Sequence, residues 1–197
     1  MDKILKKLNT PQKIQAYLDT LKINFEEKGD TCSSPALVIK RKSAHCIEAA
    51  LLGAAAMLYH GQKPLLLDLK ANSKDFDHVV LLFKRGKLWG AISKSNHAAL
   101  RYREPVYKSV RELAMSFFHE YLTPKGDKSL RSYSIPFSLT KYGKNWITEN
   151  DDLWDIANDL DDVKHYRIVP KGLKLRRADA IEARAGRITE WKSGRIH

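Results

Sequence analysis

Ser43-Ala44-His45-Cys46-Ile47-Glu48 leads into Ala49-Ala50-Leu51-Leu52-Gly53-Ala54-Ala55-Ala56-Met57-Leu58-Tyr59, a run with hardly a polar atom after Glu48. A helix that is apolar all round is buried on most sides, so this one is expected at the centre of the fold. Ala49, Gly53 and Ala56 give it a face of small side chains that a neighbour could approach closely. Cys46 opens the helix. There a thiol meets the positive end of the macrodipole and unpaired N–H groups, both of which favour thiolate. The competing reading is that Cys46 is a small buried hydrophobe, the usual fate of a free cysteine.

Working outward, Thr10-Pro11 starts a helix over residues 11–27, with Ile14, Tyr17, Leu18, Leu21 and Phe25 on one face. Ala36–Ile39 reads as a short extended piece. After the Cys46 helix come three strands, Pro64–Leu69, Asp77–Lys84 and Lys87–Ser95, the last two joined by a hairpin at Arg85-Gly86. Ala98–Tyr102 extends the sheet until Pro105 stops it. Ser109 to Glu112 has the form of a capping box, opening a helix with Val110, Leu113, Ala114, Phe117, Phe118 and Tyr121 on its apolar face. Asp151–Val163 and Arg177–Ala185 read as helices, and His165–Val169 as a strand. The pattern is α+β. Residues 1–122 form the expected domain, with a core over 36–122. Residues 123–135 read as a linker and 136–197 as a mixed C-terminal extension.

Composition narrows the function class. The chain has 197 residues, 43% hydrophobic and 29% charged, an ordinary globular balance. No segment reaches the ~18 apolar residues of a membrane span. The N-terminal MDKILKKLNT lacks the apolar core of a signal peptide. Two cysteines make no disulfide framework, and a cytoplasmic protein is expected. The net charge is +12, yet residues 145–163 carry seven acids and no Lys or Arg. Such blocks pair internally, so nucleic acid is not the expected partner, and a nucleic-acid-binding role ranks third. No glycine-rich phosphate loop is present, and no cofactor is expected.

A cysteine nucleophile needs a base in reach and a group to orient that base. Of seven histidines, His78 fits best, because it opens a strand whose pleat fixes its direction. His45 adjoins Cys46, but neighbours at a helix start point different ways. With the hairpin centred on Arg85-Gly86, His78 faces Ser93, and residues opposite one another lie ~4.5–5.5 Å apart at Cβ. Ser93 therefore occupies the orienting position. Asn96, at the strand end, is preferred to it, and Asp77 ranks third.

A helix-initial Cys46, a strand-initial His78, and a Trp89-containing strand carrying the third member resemble the transglutaminase-like core of the papain-like cysteine enzymes. The segments His45–Ala49, Asp77–Val80 and Trp89–His97 are also similar to a group of bacterial proteins built on that core. The resemblance implies a buried Cys-bearing helix packed on an antiparallel sheet. It implies Cys46 as nucleophile, His78 as base, and acyl transfer from a peptide- or amide-containing substrate, with water or an amine as acceptor. The family's third member is Asp, which would fall at Ser93. That departure makes a catalytically inactive binding protein on the same scaffold the alternative. Glu48, Arg101 and Arg103 are candidate substrate contacts, against a helix-cap role for the first and a solvated strand face for the other two. Cys32, Cys46, His45 and His78 lack zinc-ligand spacing, and no metal is expected.

Overall fold

A computed structural model describes residues 1–191; residues 192–197 of the expected extension lie outside the described residues. The chain runs α1 (Asp2–Leu5), α2 (Pro11–Asp19), β1 (Lys22–Ile23), α3 (Pro35–Arg41), β2 (Ser43–Ala44) and α4 (Cys46–Tyr59). It continues through β3 (Leu65–Ala71), β4 (His78–Arg85), β5 (Leu88–Ile92), β6 (Arg103–Tyr107) and α5 (Val110–Met115). The last third holds β7 (Leu130–Ser134), β8 (Phe137–Ser138), α6 (Trp154–Asp162), β9 (His165–Arg167) and α7 (Ala180–Gly186). The architecture is mixed α+β. One antiparallel sheet has the order β6-β5-β4-β3-β7-β9, with β8 also paired to β3. Among the described residues, no helix is long and apolar enough to cross a membrane.

The central strands are apolar at successive positions because both faces of the sheet are covered. Leu66, Val79, Leu81, Phe83 and Ile92 belong to a core shared with α2 and α4. Leu67, Leu69, Val80, Leu82 and Ala91 belong to a second core with Leu113, Ala114, Phe117 and Tyr121. As its composition requires, α4 is buried from Ile47 through Met57.

Several local expectations are corrected. Ala36–Ile39 is helical, not extended: Ser34 caps α3 with Pro35 at its first position, a strong start signal. The helix expected over 11–27 is α2 and ends at Asp19, and the sheet's edge strand lies at Arg103–Tyr107 rather than Ala98–Tyr102. Pro105 is tolerated there because an edge strand has a side without ladder bonds. The segment 123–135, read as a linker, contains β7, which pairs with β3 inside the sheet. The hairpin is centred on Gly86-Lys87, with Arg85 opposite Leu88. Gly86, at φ +62°, takes the first loop position, where a positive φ favours glycine. This moves the register by two residues and preserves which residues share a face.

Gly53 marks the closest approach of α4 to the sheet. A Cβ there would lie 2.7 Å from Leu81 Cδ2 and 3.2 Å from Ile14 Cγ2. Gly53→Val should therefore cost about 1–3 kcal/mol through overpacking. The expected readout is a lower urea midpoint at unchanged m-value, and an unaltered midpoint would refute the close approach.

Candidate active site

The geometry begins at Glu48, the third residue of α4. Its carboxylate is 0% exposed. It accepts hydrogen bonds from Thr31 Oγ1 (2.9 Å), Ser33 N (3.1 Å), Asn24 Nδ2 (3.2 Å), His45 N (3.1 Å) and Arg41 Nη2 (2.7 Å). Burial would raise its pKa, but the charge of His45 and the Arg41 guanidinium outweigh burial and hold it down to about 2. Glu48 is thus the anchor of the helix start. The substrate-contact expectation for it is corrected, because its oxygens are already engaged.

Cys46 takes the first position of α4, and His45 is the residue before the helix, with extended backbone at φ −97° and ψ −171°. His45 Nε2 lies 2.8 Å from the Thr31 carbonyl oxygen, an acceptor only, so Nε2 carries a proton. Glu26 Oε1 at 3.4 Å and Glu48 Oε2 at 3.7 Å flank the same nitrogen. Burial disfavours the imidazolium, but the adjoining Cys46 sulfur and the surrounding negative charge raise its pKa to about 9. The expectation that helix neighbours diverge does not hold for His45. A residue preceding the helix does not follow the helical spiral, and that position was the available signal.

Cys46 responds in the opposite direction. Burial alone would raise its pKa, but hydrogen bonds from His45 and His78 and their charges bring it down to about 5. Cys32 is the internal contrast. Its burial, aided by the charges of Glu48 and Asp152, pushes its thiol up to about 12. One thiol of the pair is activated and the other is inert.

His78, the first residue of β4, is buried and reaches the residue that follows β5. Its Nε2 lies 2.7 Å from Ser93 Oγ. Ser93 Oγ donates in turn to the Leu100 carbonyl at 2.8 Å. With its one proton spent on Leu100, the hydroxyl accepts from His78, so Nε2 carries the hydrogen and Nδ1 is the nitrogen left for the sulfur. Ser93 itself is pinned by Gln15: Ser93 N donates to Oε1 at 3.0 Å, and Nε2 donates to Ser93 O at 2.9 Å. Ser93 reaches the imidazole from a diagonal rather than a directly opposite position, a distance a long side chain spans.

The preference for Asn96 is corrected. Its carboxamide is engaged by the backbone of Trp191, through Nδ2 to O at 3.0 Å and N to Oδ1 at 2.8 Å. Arg101 is paired with Glu190, with Asp19 at 3.8 Å. Arg103 pairs with Glu120, donates to Ser116 Oγ at 3.0 Å, and lies over the Phe117 ring. Both arginines serve internal pairing instead of a substrate. Asp77 accepts from Ala71 N at 2.7 Å and does not support His78. A residue the sequence did not single out is Lys94, buried beside Ser93, whose Nζ donates to the Leu21 carbonyl at 2.6 Å.

Cys46, His45 and His78 line a cleft of about 500 Å³, together with Lys94, Asn96, Tyr121 and several acids. No protein-family model matches the chain, and no curated protein matches it at a significant level. The chemical capacity of the cleft therefore rests on its own atoms: a thiol of lowered pKa at a helix N-terminus, two imidazoles lining the same cleft, and a hydroxyl holding one of them.

The pH behaviour of this pair follows from the two directions. Below about 5 Cys46 takes a proton, and above about 9 His45 loses one, so the thiolate–imidazolium pair exists between those limits. Because the Cys46 pKa is depressed in the folded state, the stability it contributes is complete above the free-thiol pKa of ~8.5, declines as pH falls below it, and is lost as pH falls through about 5. Iodoacetamide alkylation of Cys46 should be flat from pH 6 to 8, where a free thiol of pKa ~8.5 loses about tenfold in rate per unit. His45→Gln should move the midpoint upward. A wild-type midpoint near that of free cysteine would overturn the assignment.

Proposed function

We propose that this chain is a cysteine-nucleophile acyl-transfer enzyme with a transglutaminase-like core, acting on an amide or peptide bond. The observation that carries the reading is that Cys46 and His78 line one cleft, with His78 Nε2 2.7 Å from Ser93 Oγ and Ser93 Oγ held by the Leu100 carbonyl. The order of a Cys-bearing helix, a strand opened by His and a neighbouring strand leading to the third member supports the core assignment. That core spans residues 36–122. A thiolate that must stay reduced fits the cytoplasm.

In this reading, the Cys46 thiolate attacks the substrate carbonyl carbon, and the C–O π electrons move to oxygen. The N–H groups of Cys46 and Ile47, in the first turn of α4, have no acceptor inside the helix and are the donors available to that charge. Collapse re-forms the carbonyl and breaks the C–N bond, while the proton that His78 Nδ1 took from the Cys46 thiol passes to the departing amine. Water or a second amine then attacks the thioester. His78 takes the attacking group's proton, and the thiolate leaves. Ser93 keeps the imidazole in the tautomer this sequence requires. The acceptor decides between hydrolase and transamidase.

A second reading, a binding protein on the same scaffold, is favoured by one feature: Ser93 offers His78 no negative charge. Acylation separates the two. Incubation with an activated acyl ester should give a single acyl adduct mapping to Cys46 by mass spectrometry. The adduct should be absent in Cys46→Ala, formed about 10²–10⁴-fold more slowly in His78→Ala, and about tenfold more slowly in Ser93→Ala. A Cys46 that alkylates readily yet acylates at the same rate with and without His78 would support the binding protein instead.

A further inference from the structure

The cleft lining includes several acids, in a chain whose net charge is +12. Asp68 from β3, Asp77 just before β4 and Asp161 from α6 each bring one carboxylate oxygen within 4.8 Å of the others. Each carboxylate is also tethered through one oxygen. Asp68 Oδ2 receives His165 Nε2 at 3.0 Å, Asp77 Oδ1 receives Ala71 N at 2.7 Å, and Asp161 Oδ1 has Lys70 Nζ at 3.4 Å. That leaves the second oxygen of each.

The independent sign of a ligand is Asp68. It is 1% exposed, and its Oδ1 has no hydrogen-bond partner among the described residues. A buried carboxylate oxygen without a donor is costly, and it is the exception in folded proteins. Three carboxylates on three separate elements also repel one another. Lys70 and His165 stand at the edge of the group, so positive charge at its centre is still wanted. The donor set is all oxygen, which suits a hard cation. Calcium–oxygen distances of ~2.3–2.6 Å place ligand oxygens up to roughly 5 Å apart, whereas magnesium demands a tighter octahedron.

We propose that Asp68, Asp77 and Asp161 form a binding site for a divalent cation of the calcium type, tying α6 to the paired strands β3 and β4. The inference goes beyond the acyl-transfer reading and does not rest on it. The ion would hold the segment immediately before His78 against a helix from the C-terminal third.

Calorimetric titration of the full chain with CaCl₂ should show one site with Kd of order 10⁻⁵–10⁻³ M, and MgCl₂ should bind at least tenfold more weakly. Thermal unfolding should shift upward with CaCl₂ in step with that affinity. Asp77→Asn and Asp161→Asn should each weaken binding tenfold or more while keeping the native circular dichroism. Asn at position 77 can still accept from Ala71 N. Asp155→Asn, on the exposed face of the same helix, should bind as the wild type does. No heat and no thermal shift up to about 10 mM CaCl₂ would overturn the site. So would wild-type affinity in both cluster variants. Either result leaves the Cys46 acylation experiment unaffected.

Discussion

The buried Glu48 carboxylate is the constraint on which the rest of the site depends. Taking a carboxylate out of water costs several kcal/mol unless its oxygens are fully engaged. Here donors come from three places: the 24–33 segment through Asn24, Thr31 and Ser33, α3 through Arg41, and the helix start through His45 N. Glu48 therefore does more than cap α4. It draws a loop and a second helix onto the N-terminus of the most buried helix in the fold, and so fixes where Cys46 sits. The loop it gathers supplies the Thr31 carbonyl that holds His45.

The charge balance at the thiol follows from that arrangement. Two histidines reach Cys46, and they are supported differently. His78 is backed by a hydroxyl, which orients the ring but adds no negative charge. His45 has Glu26 and Glu48 beside its Nε2. The acid that the sequence shows to be missing behind one imidazole is present behind the other. A division of labour results: His45 is the cation that keeps the sulfur ionised, and His78, held in one tautomer by a neutral partner, is left with the mobile proton in the proposed chemistry. A permanent imidazolium is a poor proton acceptor, so one histidine could not fill both roles well. Cys32 shows what burial, with the same acidic surroundings added, does to a thiol that no imidazole reaches.

Much of this was legible in the sequence where a single local rule decides the outcome. The apolar run after Glu48 forced α4 into the core, and the position of Cys46 at its start follows from composition alone. His78 and Ser93 share a face because the pleat has a period of two, so even a hairpin register wrong by two residues left them together. What escaped the sequence were features set by tertiary partners. Asn96 has a suitable side chain at a suitable distance along the chain, but Trp191, 95 residues away, occupies its carboxamide. Arg101 and Arg103 alternate as exposed strand residues do, yet carboxylates from distant segments take up their charge. Ala36–Ile39 misled because β-branched residues outweighed a Ser-Pro helix start.

The largest departure concerns the second half of the chain, and it changes what the site is made of. Strand β3 would be an edge if the sheet ended with the residues before 123, and it carries Leu66, Leu67 and Leu69, all fully buried. An apolar edge of that kind invites pairing with another chain. Here β7 and β8 cover it, and β9 extends the sheet beyond β7. The C-terminal third also sends Ile156 and Leu160 into the α4 core and Asp152 to Cys32 N and Ser33 Oγ. It places Ala157, Leu160 and Asp161 in the cleft wall. A segment that closes the sheet, packs on the Cys-bearing helix and lines the cleft is part of the machinery that positions the thiol. The cleft is therefore a property of the chain from Ile23 to Asp161 in α6, and no shorter stretch contains all of its walls.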